Sequence, residues 1–202
     1  MRHWAWLVPA LLGGALRYWG ISFGAPITSN LYIRPDESLV IVSGAIGQPS
    51  TYAYPAFFLQ LANLIFRLMG GDPAIGFGLD PTPYYLAVRC AAALFGTATI
   101  LLVYLIARRV LSGSWPFLAA LTYAVSPLAV RDAHYAVTDI PSVFFQTAVV
   151  WFALRYLDAE PQRASREFWW AAAALGLSMN TKYAGVLLVT VLISAVWMRS
   201  KR

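Results

Sequence analysis

Long apolar runs separated by short polar stretches dominate the chain, and their lengths predict where it crosses a membrane. The first run, residues 4–16, follows Arg2 and is bounded by Arg17, with Tyr18, Trp19 and Phe23 extending it into an aromatic interface. No small-x-small cleavage site follows, so it reads as an uncleaved first span rather than a signal peptide. Residues 83–107 are long enough to cross, since a span needs about 20 residues, and residues 115–130 and 140–157 make two further crossings. The last apolar block, 168–198, is too long for one untilted span and carries a single charge, Lys182. Two short helices meeting near Asn180-Thr181-Lys182-Tyr183 return the Arg199-Ser200-Lys201-Arg202 tail to the side of the other basic residues, and the positive-inside rule favours that arrangement.

Residues 25–82, between the first two spans, do not read as ordinary loop. Residues 38–47 form a short apolar run, and 54–69 have a helical pattern interrupted by Gln60, Asn63 and Arg67, which suits a helix lying along the membrane surface. Pro55 fits the first turn of that helix and Gly70-Gly71-Asp72-Pro73 ends it. A further crossing here would invert every later loop and put Arg108 and Arg109 outside, against the charge rule. The pattern therefore predicts an all-α, polytopic membrane helix bundle with about six membrane segments and interfacial helices in the first outer loop.

Composition agrees with that class: 59% hydrophobic, 15% aromatic and only 12% charged residues, with a mean hydropathy of +0.61. The formal charge is +6, but no basic stripe appears, so no nucleic-acid partner is expected. With both termini cytoplasmic, Arg2, Arg108, Arg109, Arg155, Arg163, Arg166 and the C-terminal tail fall inside. Asp36, Glu37, Asp72, Asp80, Asp132 and Asp139 fall outside, which leaves only Asp158, Glu160 and Glu167 as inner acids. Chemistry is thus expected at the outer face. The single cysteine, Cys90, lies in an apolar run and reads as a small buried apolar side chain.

Several polar residues stand out against this background. Asp36 and Glu37 are adjacent in Ile33-Arg34-Pro35-Asp36-Glu37-Ser38; Asp36 reads either as chemistry or as a cap for a helix starting at Ser38 or a partner of Arg34. Asp139, two residues before Pro141, suits a helix start. Lys182 is expensive at mid-block, so it either snorkels at a helix break or meets a phosphate. Arg131 reads as an interfacial anchor or a partner of Asp132, His134 as an ordinary hydrogen-bonding residue, and Arg89 as a structural residue able to pair with an outer carboxylate.

In order along the chain, Pro35-Asp36-Glu37 follows the first span, Tyr54-Pro55 opens the interfacial helix and Arg89 begins a small-residue span. Ser126-Pro127, Arg131 and Asp139-Ile140-Pro141 come next. This succession resembles the N-terminal catalytic core of GT-C type membrane glycosyltransferases, nearest the dolichyl-phosphate-mannose protein mannosyltransferase and lipid A aminoarabinose transferase group. Members of that family are longer, so the resemblance implies that residues 1–202 are a fragment or a short relative.

The resemblance implies an enzyme that moves a sugar from a polyprenyl-phosphate carrier to a protein or glycolipid acceptor at the outer membrane face, with inversion. It makes Asp36 the general base, and Glu37 a neighbour that orients the acceptor or binds metal. Lys182, Tyr183, Arg131, Tyr54 and Asp139 become contacts to substrate or lipid phosphate. A divalent cation, Mg²⁺ or Mn²⁺, held by Glu37 and Asp139 is compatible with oxygen ligands of this kind, without a spacing that identifies it. The competing classes are a transporter built around the breaks near Lys182 and a truncated, non-catalytic relative that binds a lipid-linked sugar. Against the transporter, the polar residues gather in loops and no inverted repeat is visible.

Overall fold

The structure, a computed structural model, describes residues 5–24, 34–48 and 54–201. Its elements are helical throughout: α1 (Leu7–Tyr18), α2 (Pro35–Ile46), α3 (Ala56–Leu68), α4 (Pro73–Leu79), α5 (Thr82–Val110), α6 (Trp115–Val125), α7 (Pro127–Ala133), α8 (Asp139–Asp158), α9 (Pro161–Thr181), a 3₁₀ turn (Tyr183–Leu188) and α10 (Val189–Ser200). Three segments are long and apolar enough to cross a membrane: Thr82–Val110, Asp139–Asp158 and Tyr183–Ser200. Helices α1, α3 and α6 are apolar but shorter. At 1.5 Å per residue the 29 residues of α5 reach about 44 Å, more than the hydrocarbon core of about 30 Å.

The expected first, third and last spans each come out differently. The first helix is only 12 residues long, because the chain turns at residues 19–24, where Gly20 takes a left-handed φ of 76° that favours glycine. The third span is split. Pro127 has no N–H for the carbonyl of Tyr123, so α6 stops at Val125 and α7 restarts at Pro127 as a separate seven-residue helix. In the last block α9 begins at Pro161, earlier than expected, and the expected break falls at Lys182, whose backbone is extended. Asn180 and Thr181 are weak helix formers, and the Thr181 hydroxyl donates back to the Leu177 carbonyl, which weakens the final turn.

Among the described residues the first loop holds three helices rather than two. Helix α2 starts at Pro35, three residues before the expected Ser38, so Asp36 and Glu37 lie inside its first turn. Pro55 precedes α3 as its cap, and Asp72 caps the unexpected α4 by accepting from the Ala74 N–H at 2.9 Å. Val40, Ile41, Phe58, Ala62 and Phe66 from α2 and α3 pack with Tyr84, Tyr85 and Val88 of α5 in one core cluster. A second cluster joins Ile100 and Tyr104 to Ala120 and Ala124, and a third joins Ala148 and Val149 to Ala174 and Leu175. Cys90 is exposed on the outside of α5, not buried as expected, while its neighbours Arg89 and Ala92 turn inward.

Arg17 ties the first span to the broken one. It is fully buried, and its Nη1 donates to the carbonyls of Gly13 and Ala124 at 2.9 Å while Nη2 donates to that of Tyr123 at 3.3 Å. At the break before Pro127 the Tyr123 carbonyl keeps a backbone bond from the Ser126 N–H, at 3.4 Å, while no backbone donor reaches the Ala124 carbonyl among the described residues. Arg17 therefore supplements the donors at this break, where the proline lacks the one that the Tyr123 carbonyl would have used in a continuous helix. A side chain at Gly96 would meet the Arg17 guanidinium at 2.9 Å, so α1 approaches α5 closely only because that residue has no Cβ. Replacing Arg17 with Met should cost roughly 1–3 kcal/mol by leaving the buried Ala124 carbonyl unpaired, read as lost unfolding free energy in a denaturant titration in micelles. Arg17→Lys should recover only part of it.

Candidate functional site

Charged side chains gather at the two ends of the bundle. One end collects the first turns of α2, α5 and α8, the α7–α8 loop and the break after α9; the other carries Arg109, Arg155, Asp158, Arg166, Glu167 and Arg199. The first end holds every candidate residue named from the sequence.

At its centre is a sealed ion pair. Glu37 Oε1 and Oε2 accept from Arg89 Nε and Nη2 at 2.6 and 2.8 Å, and Oε1 also accepts from the Ala136 N–H at 2.8 Å. The side chains are 3% and 2% exposed. Arg89 Nη1 donates to the carbonyls of Ile21 and Phe23, and its guanidinium lies against the Tyr85 and Tyr135 rings at 6.0 and 5.7 Å. One carboxylate thus joins α2, α5, the turn after α1 and the loop before α8. Successive helical residues point about 100° apart, so with Glu37 turned inward its neighbour Asp36 is turned out to solvent.

Asp36 accepts a hydrogen bond from the Tyr54 hydroxyl. The Tyr54 phenol is pushed up to about 12, first by burial, then by that bond and by the negative charges of Asp36 and Asp139, with Arg34 opposing. Tyr54 is therefore a hydrogen-bond donor at any physiological pH. Asp139, in the first turn of α8, accepts from Lys182 Nζ at 2.6 Å. This pair is open where the other is sealed: Lys182 and Asp139 are 38% and 42% exposed. Four elements thus bring Asp36, Tyr54, Asp139 and Lys182 to one neighbourhood. Lys182 meets a carboxylate, a partner absent from both sequence expectations, and Tyr183 beside it is mostly exposed.

The remaining candidates lie apart. Arg131 donates to Asp132 at 2.9 and 3.0 Å and lines a cavity of about 210 Å³ with Gly20, Phe23, Arg89, His134 and Tyr135. His134 has a ring nitrogen 2.7 Å from each of the Val130 and Trp19 carbonyls, an ordinary hydrogen-bonding role that pins the turn after α1. Arg34 pairs with Asp132 at 3.2 Å, not with Asp36, and lies over the Tyr135 ring at 5.1 Å. The sequence offers Arg34 only as a partner of Asp36, and it leaves no signal for the Ala136 N–H, which is a backbone donor.

A divalent cation does not fit the described donor set. Glu37 is sealed with its oxygens engaged by Arg89 and Ala136, and among the described residues no three His, Cys, Asp or Glu side chains converge on a metal-sized space. The expected pairing of Glu37 with Asp139 as ligands is thus not formed, and no chemical step is routed through a metal.

Known proteins share this arrangement of helices. A family model described as dolichyl-phosphate-mannose-protein mannosyltransferase matches residues 84–202. The polyprenol-phosphate-mannose–protein mannosyltransferase of Corynebacterium glutamicum is 27% identical over 203 aligned residues, covering 87% of this chain and 34% of that protein. Dolichyl-phosphate-mannose–protein mannosyltransferase 1 of Saccharomyces cerevisiae is 28% identical over 119 residues, covering 57% of this chain and 15% of the relative. The chain therefore spans about a third or less of the length of these curated relatives. Among solved structures, the S. cerevisiae protein O-mannosyltransferase Pmt1–Pmt2 complex bound to the sugar donor matches with a TM-score of 0.76 over 96% of this chain and 28% of that one, at 20% identity, a likeness of fold.

Two measurements check this geometry. Glu37→Gln should cost about 3–5 kcal/mol by leaving Arg89 buried without its countercharge, and adding Arg89→Met should restore a large part of the loss. A double variant no more stable than Glu37→Gln alone would remove the pair from its central place. In ultraviolet titration, one phenol absent from Tyr54→Phe should ionise near pH 12, against an ordinary value near 10. Because the folded chain keeps this proton longer than the unfolded chain, the stability it contributes is full below the unfolded value and is lost as pH rises toward 12.

Proposed function

The chain belongs to the dolichyl-phosphate-mannose-protein mannosyltransferase family, and on that footing we propose that it forms the part of a membrane glycosyltransferase that moves mannose from a polyprenyl-phosphate carrier to a protein hydroxyl, with inversion, at the outer membrane face. The observation that carries the reading is the outward-turned Asp36 fixed by Tyr54 beside the open Asp139–Lys182 pair.

The chemistry asks for a base, a cation and access. As the acceptor oxygen attacks the anomeric carbon, its proton passes to an Asp36 carboxylate oxygen, since a neutral alcohol is a poor nucleophile. The bond from that carbon to the phosphate oxygen breaks and its electron pair leaves with the polyprenyl phosphate. Lys182, partly exposed and held among the described residues by an open ion pair, is free to exchange Asp139 for the phosphate and so to stabilise the leaving group where charge accumulates. Tyr54 holds the Asp36 carboxylate in orientation without competing for the proton. The exposed apolar side chains of α1, the 3₁₀ turn and α10, among them Leu11, Leu187, Ile193 and Trp197, suit contact with lipid, from which the carrier arrives.

Purified protein in detergent, given polyprenyl-phosphate mannose and a serine- and threonine-rich peptide, should transfer the sugar. Asp36→Asn should lower kcat by roughly 10²–10⁴-fold with the thermal midpoint unchanged, because Asp36 is exposed. Lys182→Met should lower kcat/KM by about 10²-fold, with partial recovery in Lys182→Arg. Wild-type turnover by Asp36→Asn would refute the assignment of the base.

A further inference from the structure

The end of the bundle away from Asp36 contains a second built cavity, of about 290 Å³, near the lower limit of small-ligand pockets at roughly 300 Å³. Its charged lining is Arg109, Arg155, Arg163 and Arg166, with Asp158, Glu160 and Glu167 as countercharges, so the basic groups remain in excess. Arg109 donates to Asp158 at 2.9 Å, and Arg155 and Arg166 donate to Glu167 Oε1 at 2.6 and 3.3 Å. Two features are left over. Among the described residues Arg163 makes no ion pair, and Arg166 is 61% exposed, so two guanidinium groups at the rim have bonding capacity to spare. Glu167 is 3% exposed, yet its Oε2 has no hydrogen-bond partner among the described residues.

A buried carboxylate oxygen without a donor is costly, of the order of 1–3 kcal/mol or more, and natural sites satisfy it with a partner. The rim asks for an anion, and the buried oxygen asks for a hydrogen-bond donor. The N-terminus of α9, a 21-residue helix whose first residues line the cavity, adds favourable potential for a phosphate. Trp151 lies under Arg109 and Arg155 at 5.3 and 5.8 Å, and Trp169 and Trp170 are exposed on the next helix, the ring of aromatic side chains found at the level of lipid headgroups.

We propose that this cavity binds the headgroup of a membrane phospholipid, with the phosphodiester on Arg163 and Arg166 and a terminal donor of the headgroup on Glu167 Oε2. The chemistry selects headgroups that carry an N–H or O–H beyond the phosphate. Phosphatidylethanolamine and phosphatidylglycerol meet that condition, and phosphatidylcholine, with the same phosphate and a quaternary ammonium lacking any N–H, does not. The site is independent of sugar transfer and lies at the opposite end of α5, α8 and α9.

The test is native mass spectrometry of delipidated protein in detergent, titrated separately with phosphatidylethanolamine, phosphatidylglycerol, phosphatidylcholine and inorganic phosphate. The first two should bind with one saturable site at least tenfold tighter than phosphatidylcholine, and inorganic phosphate should compete only weakly. Arg163→Ala with Arg166→Ala, both at exposed positions, should weaken the saturable site tenfold or more, and Glu167→Gln should narrow the preference over phosphatidylcholine. Equal binding of all three lipids, or an unchanged affinity in the double arginine variant, would overturn the proposal. Competition by inorganic phosphate as strong as by lipid would reassign the cavity to free phosphate and overturn it as well.

Discussion

The buried Glu37–Arg89 pair is the constraint around which the candidate site is arranged. Taking two charges out of water costs several kcal/mol per ion, and the attraction between them recovers that only when geometry and further hydrogen bonds are good. Here both conditions hold: the contact is two-pronged, the remaining guanidinium donors reach the Ile21 and Phe23 carbonyls, and the carboxylate takes one more bond from Ala136. The energetic return over an apolar replacement is small by that reasoning. What the pair supplies is position, because its bonds tie α2 and α5 to the turn after α1 and to the loop before α8.

Helix breaks do the rest. Continuous helices carry their polar groups paired along the axis and present only side chains; a break exposes backbone and lets a charged residue leave the apolar layer. The interruption before Pro127 allows the chain to turn through α7 into the loop that supplies Ala136 and then Asp139. The interruption at Lys182 puts an ammonium at the end of α9 rather than in its middle, facing Asp139 across the α8–α9 contact. Arg17 offsets the cost of the first break by donating to the Ala124 and Tyr123 carbonyls beside it.

Much of this was legible in the sequence because hydropathy and proline are strong signals. The spans at α5 and α8, the break at Asn180-Thr181-Lys182, and the gathering of Asp36, Tyr54, Asp139 and Lys182 at one end all follow from run lengths, from charge placement and from the resemblance those motifs carry. The division of labour between Asp36 and Glu37 was not legible. As neighbours in a loop they would face the same ligand, and the start of α2 at Pro35 rather than Ser38 turns them about 100° apart. A three-residue difference in the helix start thus places Glu37 inside the bundle as a buried anchor and leaves Asp36 outside it. The split at Pro127 was hidden for the opposite reason: hydropathy runs unbroken through residues 115–130, and the missing N–H of one proline does not change it.

The contrast between the two ion pairs bears on how the proposed reaction keeps its charges balanced. A sugar phosphodiester arrives with one negative charge and leaves as a phosphate monoester able to carry two, while Asp36 changes from anion to neutral acid as it takes the acceptor's proton. The total charge of the site is therefore constant through the transfer, and what moves is its location, from Asp36 toward the phosphate. A sealed pair such as Glu37–Arg89 cannot follow that movement, since its partners are fixed on every side. Lys182 can, because at 38% exposure it has room to turn from Asp139 to the phosphate, and an exposed pair of this kind costs about 0–1 kcal/mol to part. The weak pair is accordingly the one suited to take part in the chemistry, and the strong pair the one suited to hold it in place.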